Sequence, residues 1–166
     1  MEHRIVVRTV QPGDLAAWRV MRTSLWPESG AGAADEVATF FGDGLIDGVP
    51  HVVFVAAMRS DAGPIVGFIE MSMHDAVPGH SGGPVGFIEG WWVHENCRRH
   101  GVGRALLRSA EGAARSMGAT AMGSDTDAAH AALSVPAHER CGFRRVHPAG
   151  GGVDPPICFL KALDPR

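Results

Sequence analysis

Hydrophobic spacing along this chain changes period several times, and the changes mark out its elements. Ile5, Val6 and Val7 read as a short strand. Pro12-Gly13-Asp14 then opens a stretch in which Leu15, Trp18, Met21 and Leu25 recur at helical spacing, and Pro27 closes it. Residues 33–45 read as a second helix closed by glycines. The period then becomes that of strands: a valine-rich run at 51–58, a turn at Asp61-Ala62-Gly63-Pro64 and a strand at 65–73. Residues 75–84 are rich in glycine and proline and predict a mobile flap over a site. The apolar run Val85-Gly86-Phe87-Ile88-Glu89-Gly90-Trp91-Trp92-Val93 is the central strand. A helix follows from near Gly101 to Met117, with Val102, Leu106, Ala110 and Ala113 on one face. A strand at 119–123, a helix at 127–140, a strand at 143–147, a second glycine-rich loop at 148–156 and a strand at 157–163 complete the chain. The pattern predicts an α/β layered fold, a mixed sheet with helices on both faces. No repeat or linker interrupts it, so residues 1–166 are expected to form a single domain.

Composition narrows the class. With 166 residues, 45% apolar and 20% charged, the chain is long enough for a sizeable core and is globular in type. A net charge of −3 argues against nucleic acid as the main partner. The three cysteines, Cys97, Cys141 and Cys158, are scattered and form no C-x-x-C pair, which predicts a reduced, cytoplasmic compartment. Met1-Glu2-His3-Arg4 shows no signal-peptide pattern, and no apolar run reaches spanning length, so no membrane partner is expected. The nine histidines fall at no metal-ligand spacing, so no metal site is expected.

The chemistry concentrates at Arg98-Arg99-His100-Gly101-Val102-Gly103-Arg104, between the central strand and the long helix. A glycine-bearing turn entering a helix points several N–H groups the same way at the positive end of the helix dipole, which suits a phosphate or pyrophosphate. Gly101 and Gly103 are expected to let a ligand approach the backbone, with Arg98, Arg99 and Arg104 supplying charge. A P-loop would need Lys-Ser or Lys-Thr where Arg104-Ala105 stands, and a dinucleotide fingerprint would need glycine where Leu106 stands. The remaining pattern, Arg/Gln-x-x-Gly-x-Gly/Ala, resembles the pyrophosphate loop of the GNAT superfamily of acyl-CoA-dependent N-acetyltransferases. Cys141-Gly142-Phe143 is similar to the end of that family's second half. The resemblance implies a mostly antiparallel mixed sheet of α+β type and acetyl-CoA as co-substrate. It places the cofactor at Trp91, Trp92, Val93, Arg98, Arg99, His100, Gly101, Val102, Gly103 and Arg104.

An amine must lose a proton before it attacks a thioester, so a base near the point of attack helps. Glu89 sits in an otherwise apolar run, where an unpaired buried carboxylate is expensive. It is therefore a candidate base, or else a solvent-side glutamate or the partner of an arginine. N–H groups near Trp92 and Val93 are candidate donors to the thioester oxygen. The chain has no tyrosine. Where many family members carry a tyrosine as general acid, this neighbourhood offers His138, which is either that acid or a packed helix histidine. The leaving thiolate can also take its proton from solvent.

Shorter strings sharpen the resemblance. Ser24-Leu25-Trp26-Pro27-Glu28, Phe87-Ile88-Glu89-Gly90, Ser124-Asp125-Thr126 and Ser134 through Gly142-Phe143 occur in the order found in cytoplasmic aminoglycoside 6′-N-acetyltransferases. If the family roles carry over, Trp26 walls the sugar acceptor, and Glu89 and Asp125 bind its ammonium groups. Glu28, Glu70 and Asp75 are further candidates for the same acidic pocket. Asp35, Glu36, Asp43 and Asp47 read as a solvated face. Departures lie in the acceptor half. Ala76-Val77-Pro78-Gly79 replaces the family's Tyr-Val-Asn-Gly, and Arg144-Arg145-Val146-His147 stands where the family tends to be acidic, leaving His147 as the acceptor contact. A longer stretch between Asp125 and Ser134 unsettles the asparagine the family places near His130 or Ala131.

The sequence therefore points to acetyl transfer from acetyl-CoA to a primary amine, the 6′-amino group of aminoglycosides foremost. The alternatives are a GNAT enzyme for a polyamine, a lysine or a peptide N-terminus, and a non-enzymatic CoA-binding module. A homodimer is implied by resemblance, with the apolar C-terminal strand as the edge to be paired.

Overall fold

The computed structural model describes residues 4–148, 150 and 152–165. Met1, Glu2 and His3, read above for a leader, and Ala149 and Gly151 of the second glycine-rich loop lie outside the described residues. In chain order the elements are β1 (Ile5–Thr9), α1 (Leu15–Leu25), α2 (Gly32–Asp35), α3 (Phe40–Asp43), β2 (Leu45–Ile46), β3 (Val49–Pro50), β4 (Val52–Met58) and β5 (Ile65–His74). They continue with β6 (Val85–Val93), α4 (Val102–Ser116), β7 (Ala121–Thr126), α5 (Ala131–Arg140), β8 (Arg144–Val146) and β9 (Ile157–Ala162). The seven-stranded sheet runs β1-β4-β5-β6-β7-β9-β8. β6 and β7 are parallel, as a crossover through the intervening helix requires, whereas β1/β4, β4/β5, β7/β9 and β8/β9 are antiparallel. No helix of the described residues is long and apolar enough to cross a membrane.

The chain divides into two compact units: residues 1–72 with 90–110, and residues 73–89 with 111–166. In the first unit, α1 starts where Asp14 accepts from the Gln11 N–H at 2.8 Å and from both terminal nitrogens of Arg8 at 2.6 and 3.0 Å. That pairing holds the Asp14 carboxyl below its ordinary range. Trp18, Met21, Val37, Ile46, Val53, Val55 and Phe68 form the core. Phe68 faces α1, while the neighbouring Gly67 brings its backbone against Leu106 of α4. Consecutive strand residues point to opposite faces, so α1 and α4 cover opposite sides of β5. The Trp18 indole donates to Glu70 Oε1 at 2.8 Å. Arg22, only 2% exposed, pairs with Glu70 and Glu36 and donates to the Ala33 carbonyl at 2.6 Å.

In the second unit, Val85, Ala121 and Leu160 pack with Val77 and Val146. Lys161 pairs with buried Glu111 and lies 5.9 Å from the Phe143 ring.

Two expectations change. The helix over 33–45 is replaced by the single turns α2 and α3, with residues 36–39 as turn between them, and by the β2–β3 pair; Gly44 at φ 73° ends α3. The helix expected from 127 begins at Ala131, since the Asp127 carboxylate accepts from the His130 N–H at 2.9 Å and holds a turn there instead. The 75–84 loop, expected as a flap, carries local ties. Val77 and His80 form a bridge, Val77 enters the core, and His80 Nε2 lies 2.9 Å from Thr120 Oγ1.

Glu70→Gln is expected to lower the unfolding free energy by about 3 kcal/mol, because it leaves the buried guanidinium short of a charge. Glu36→Gln, at a carboxylate more than a third exposed, is expected to cost under about 1 kcal/mol. Urea unfolding of the two variants beside wild type checks both.

Candidate functional site

In the first unit, β6 ends at Val93, and its carbonyl accepts from Arg98 Nε at 2.8 Å, which ties the loop to the strand. Arg99 at φ 66° and Gly101 at φ 84° then turn the chain into α4. The Ala105 N–H bonds back to the Gly101 carbonyl at 3.0 Å, and the N–H groups of the preceding turn belong to the helix N-terminus. The two glycines have different surroundings. Gly101 supplies the positive φ, and no atom lies within 4 Å of where its Cβ would stand. Gly103 makes room for a side chain: a Cβ there would sit 3.3 Å from the Trp91 ring. Arg99, His100 and Arg104 are exposed around this turn. Trp92 packs against the Trp18 core, and Trp91 packs against the first turn of α4.

Trp26 follows α1. Its ring lies so close to Gly90 that a Cβ there would be 2.7 Å from its Cζ/Cη edge, and the Arg22 guanidinium lies 4.7 Å from the ring centroid on the Trp26 face. Glu28 is exposed in the turn just after it. Glu70 is not a pocket residue. It is 1% exposed and held by Arg22 and Trp18 inside its unit. Burial pushes its carboxyl up, and those partners oppose the push.

The second unit brings Glu89 and Asp125 together. Glu89, half-buried on β6, has its Oε1 2.9 Å from His74 Nε2. The His74 ring in turn lies 4.7 Å from Phe87. Asp125, on β7 opposite Cys158 of β9, keeps one side open to water. Its carboxyl is nevertheless raised, first by partial loss of water, then by the charges of Glu89 and Asp127, with His74 opposing. Burial, and after it the Asp125 carboxylate, push the Cys158 thiol up. Asp75 and His147 are exposed, one just after β5 and the other just after β8.

His138 is withdrawn from proton donation by its setting. It is 4% exposed and stacks on Phe159 with centroids 4.2 Å apart. Nδ1 lies 2.8 Å from the Ser134 carbonyl and must donate to it, so Nε2 accepts from Ser124 Oγ at 2.9 Å. Burial holds its pKa below the ordinary histidine value, so it stays neutral. Residues not singled out in the sequence are Arg22, which backs Trp26, and His74, which meets Glu89. Among the described residues no group of three or more His, Cys, Asp or Glu could hold a metal ion.

The acetyltransferase (GNAT) family profile matches residues 15–143. The aminoglycoside N(6′)-acetyltransferase type 1 of Klebsiella aerogenes is 36% identical over 163 residues, covering 98% of this chain and all of that protein. Among solved structures, aminoglycoside N-acetyltransferase AAC(6′)-Iy in complex with CoA is 26% identical, with a TM-score of 0.74 and coverage of 93% and 97%. The same enzyme with a bisubstrate analogue, CoA-S-monomethyl-acetylneamine, is 25% identical, with a TM-score of 0.73 and coverage of 92% and 99%.

A raised Asp125 pKa means the folded protein disfavours its charged form. Folding carries that cost at neutral pH and loses it as pH falls through the raised value toward the ordinary 3.8. Asp125→Asn is therefore expected to melt above wild type at pH 7, with the gap closing toward about pH 4. Thermal melts across that range check it.

Proposed function

The chain belongs to the acetyltransferase (GNAT) family, and we propose that it transfers an acetyl group from acetyl-CoA to the 6′-amino group of aminoglycosides. The observation that carries the acceptor is the local charge. Glu89 and Asp127 act on Asp125 as like charges and, after partial loss of water, raise its carboxyl, with His74 opposing. A polycationic sugar gains from such a group of neighbouring carboxylates. The curated relative named for 6′-acetylation, similar along its whole length, supports the same acceptor.

In this reading Asp125 and Glu89 hold ammonium groups of the acceptor; a sugar-walling role for Trp26 rests on the family resemblance alone. Glu89 takes the proton from the reacting ammonium, directly or through a water, so that the nitrogen lone pair becomes available. The residues of the loop fit a pyrophosphate. Gly101 turns the backbone with open space on its Cα, the first-turn N–H groups of α4 gather at the positive end of the helix, and Arg99 and Arg104 are exposed beside them. Acetyl-CoA held there supplies the acetyl group as an activated thioester. Transfer is direct, and the leaving thiolate takes its proton from solvent, because His138 is committed to Ser124 and Ser134.

The reading includes a homodimer in the cytoplasm, on the strength of the family resemblance. β9 is bonded to β7 on one edge and β8 on the other, so the C-terminal strand is not the edge that would pair subunits.

Thiol release from acetyl-CoA tests the proposal, with kanamycin, tobramycin, a 6′-hydroxyl aminoglycoside and spermidine as separate acceptors. Release with the 6′-amino drugs and none with the 6′-hydroxyl drug is expected. Glu89→Gln is expected to lower kcat by about 100-fold or more. Release with spermidine alone, or unchanged kinetics in Glu89→Gln, would overturn the reading.

A further inference from the structure

From the contact between His74 and Glu89 we infer that His74 is a positioning residue for acetyl transfer: it fixes the Glu89 carboxylate while adding no permanent positive charge to the acceptor pocket. The inference rests on the acceptor reading above for its functional half and on geometry alone for its structural half. His74 closes β5, and its Nε2 lies 2.9 Å from Glu89 Oε1. A carboxylate only accepts, so Nε2 carries the proton and donates. The ring is held from a second side by Phe87, at 4.7 Å between centroids. Glu89 is a third exposed, with a side-chain exposure of 33%, and a long carboxylate at such a site samples several rotamers unless a partner selects one. A base must lie within hydrogen-bond reach of the proton it takes, so this selection bears directly on turnover.

The residue type matters as well as the contact. His74 also acts on Asp125, where it opposes the charges of Glu89 and Asp127. A lysine or arginine at this place would hold Glu89 equally well but would compete with the cationic acceptor for the same carboxylates. Histidine donates the same bond without the fixed charge that those side chains carry.

Four variants test this at pH 8: His74→Ala, His74→Gln, His74→Lys and Glu89→Gln. His74→Ala is expected to lower kcat for a 6′-amino aminoglycoside by about tenfold or more, with KM for acetyl-CoA and the melting temperature unchanged. His74→Gln keeps a neutral N–H donor and is expected to restore kcat to within about threefold of wild type. His74→Lys is expected to raise KM for the aminoglycoside more than it lowers kcat. Long-range 1H–15N spectra of the imidazole supply a readout independent of turnover: the Nε2–H tautomer in wild type, with a shifted Nε2 signal in Glu89→Gln. An Nδ1–H tautomer, or a kcat in His74→Ala equal to wild type, would overturn the inference. If wild type releases no thiol with any amine, the acceptor reading fails, and the spectra alone decide whether His74 holds Glu89.

Discussion

A guanidinium buried to 2% exposure has to be satisfied on every side, and that requirement organises the first unit. Arg22 leaves α1 and finds Glu70 on β5, Glu36 beyond α2 and the carbonyl of Ala33. No two of these partners belong to the same element, so one side chain joins a helix, a strand and an otherwise loosely structured connection. Its flat face also lies over Trp26. Trp26 is therefore set by a charge network, and its far edge fits only because Gly90 has no Cβ. Replacing a buried pair by apolar residues often leaves stability unchanged or improves it, so stability alone does not account for such a network here. What it provides is a fixed place for Trp26.

Two carboxylates in apolar strands have opposite fates, and the contrast shows how far the sequence could be read. Glu70 and Glu89 each stand out in a hydrophobic run, and each reads as a candidate for an acidic pocket. Their difference lies in partners distant along the chain. Arg22, 48 positions from Glu70, encloses one of them, whereas His74, 15 positions from Glu89, leaves the other half-open. Neither partner stands out in the sequence. Arg22 looks like the polar face of an amphipathic helix, and His74 is a single histidine at a strand end. Period and spacing report which side of an element a residue occupies, but not which distant side chain meets it.

The elements themselves were more legible. The strands at 52–58 and 65–74, the central strand and the helix after the glycine loop follow the hydrophobic period, with ends displaced by a residue or two. The segment between Trp26 and Val52 was misread as a helix, although its apolar residues Val37, Phe40 and Ile46 do face one core. They serve to cover Trp18, and short turns do that as well as a helix. At the glycine loop the motif and its conformation agree. The division of labour does not follow from the motif, since Gly103 could be assigned to Trp91 only once the strand and helix were placed.

The position of β9 has a consequence for how the molecule is made. The strand order places β9 between β7 and β8, so β7 gains its second neighbour and β8 its first only when residues 157–162 are available. During synthesis β7 therefore waits with one edge open while α5, β8 and the glycine-rich connection are added. These contacts close late and over long sequence separation, the kind of pairing that slows folding and leaves a nascent chain exposed to its neighbours. Closure of this half of the sheet thus waits on a strand that follows β8 along the chain, however early the residues of the proposed site are made.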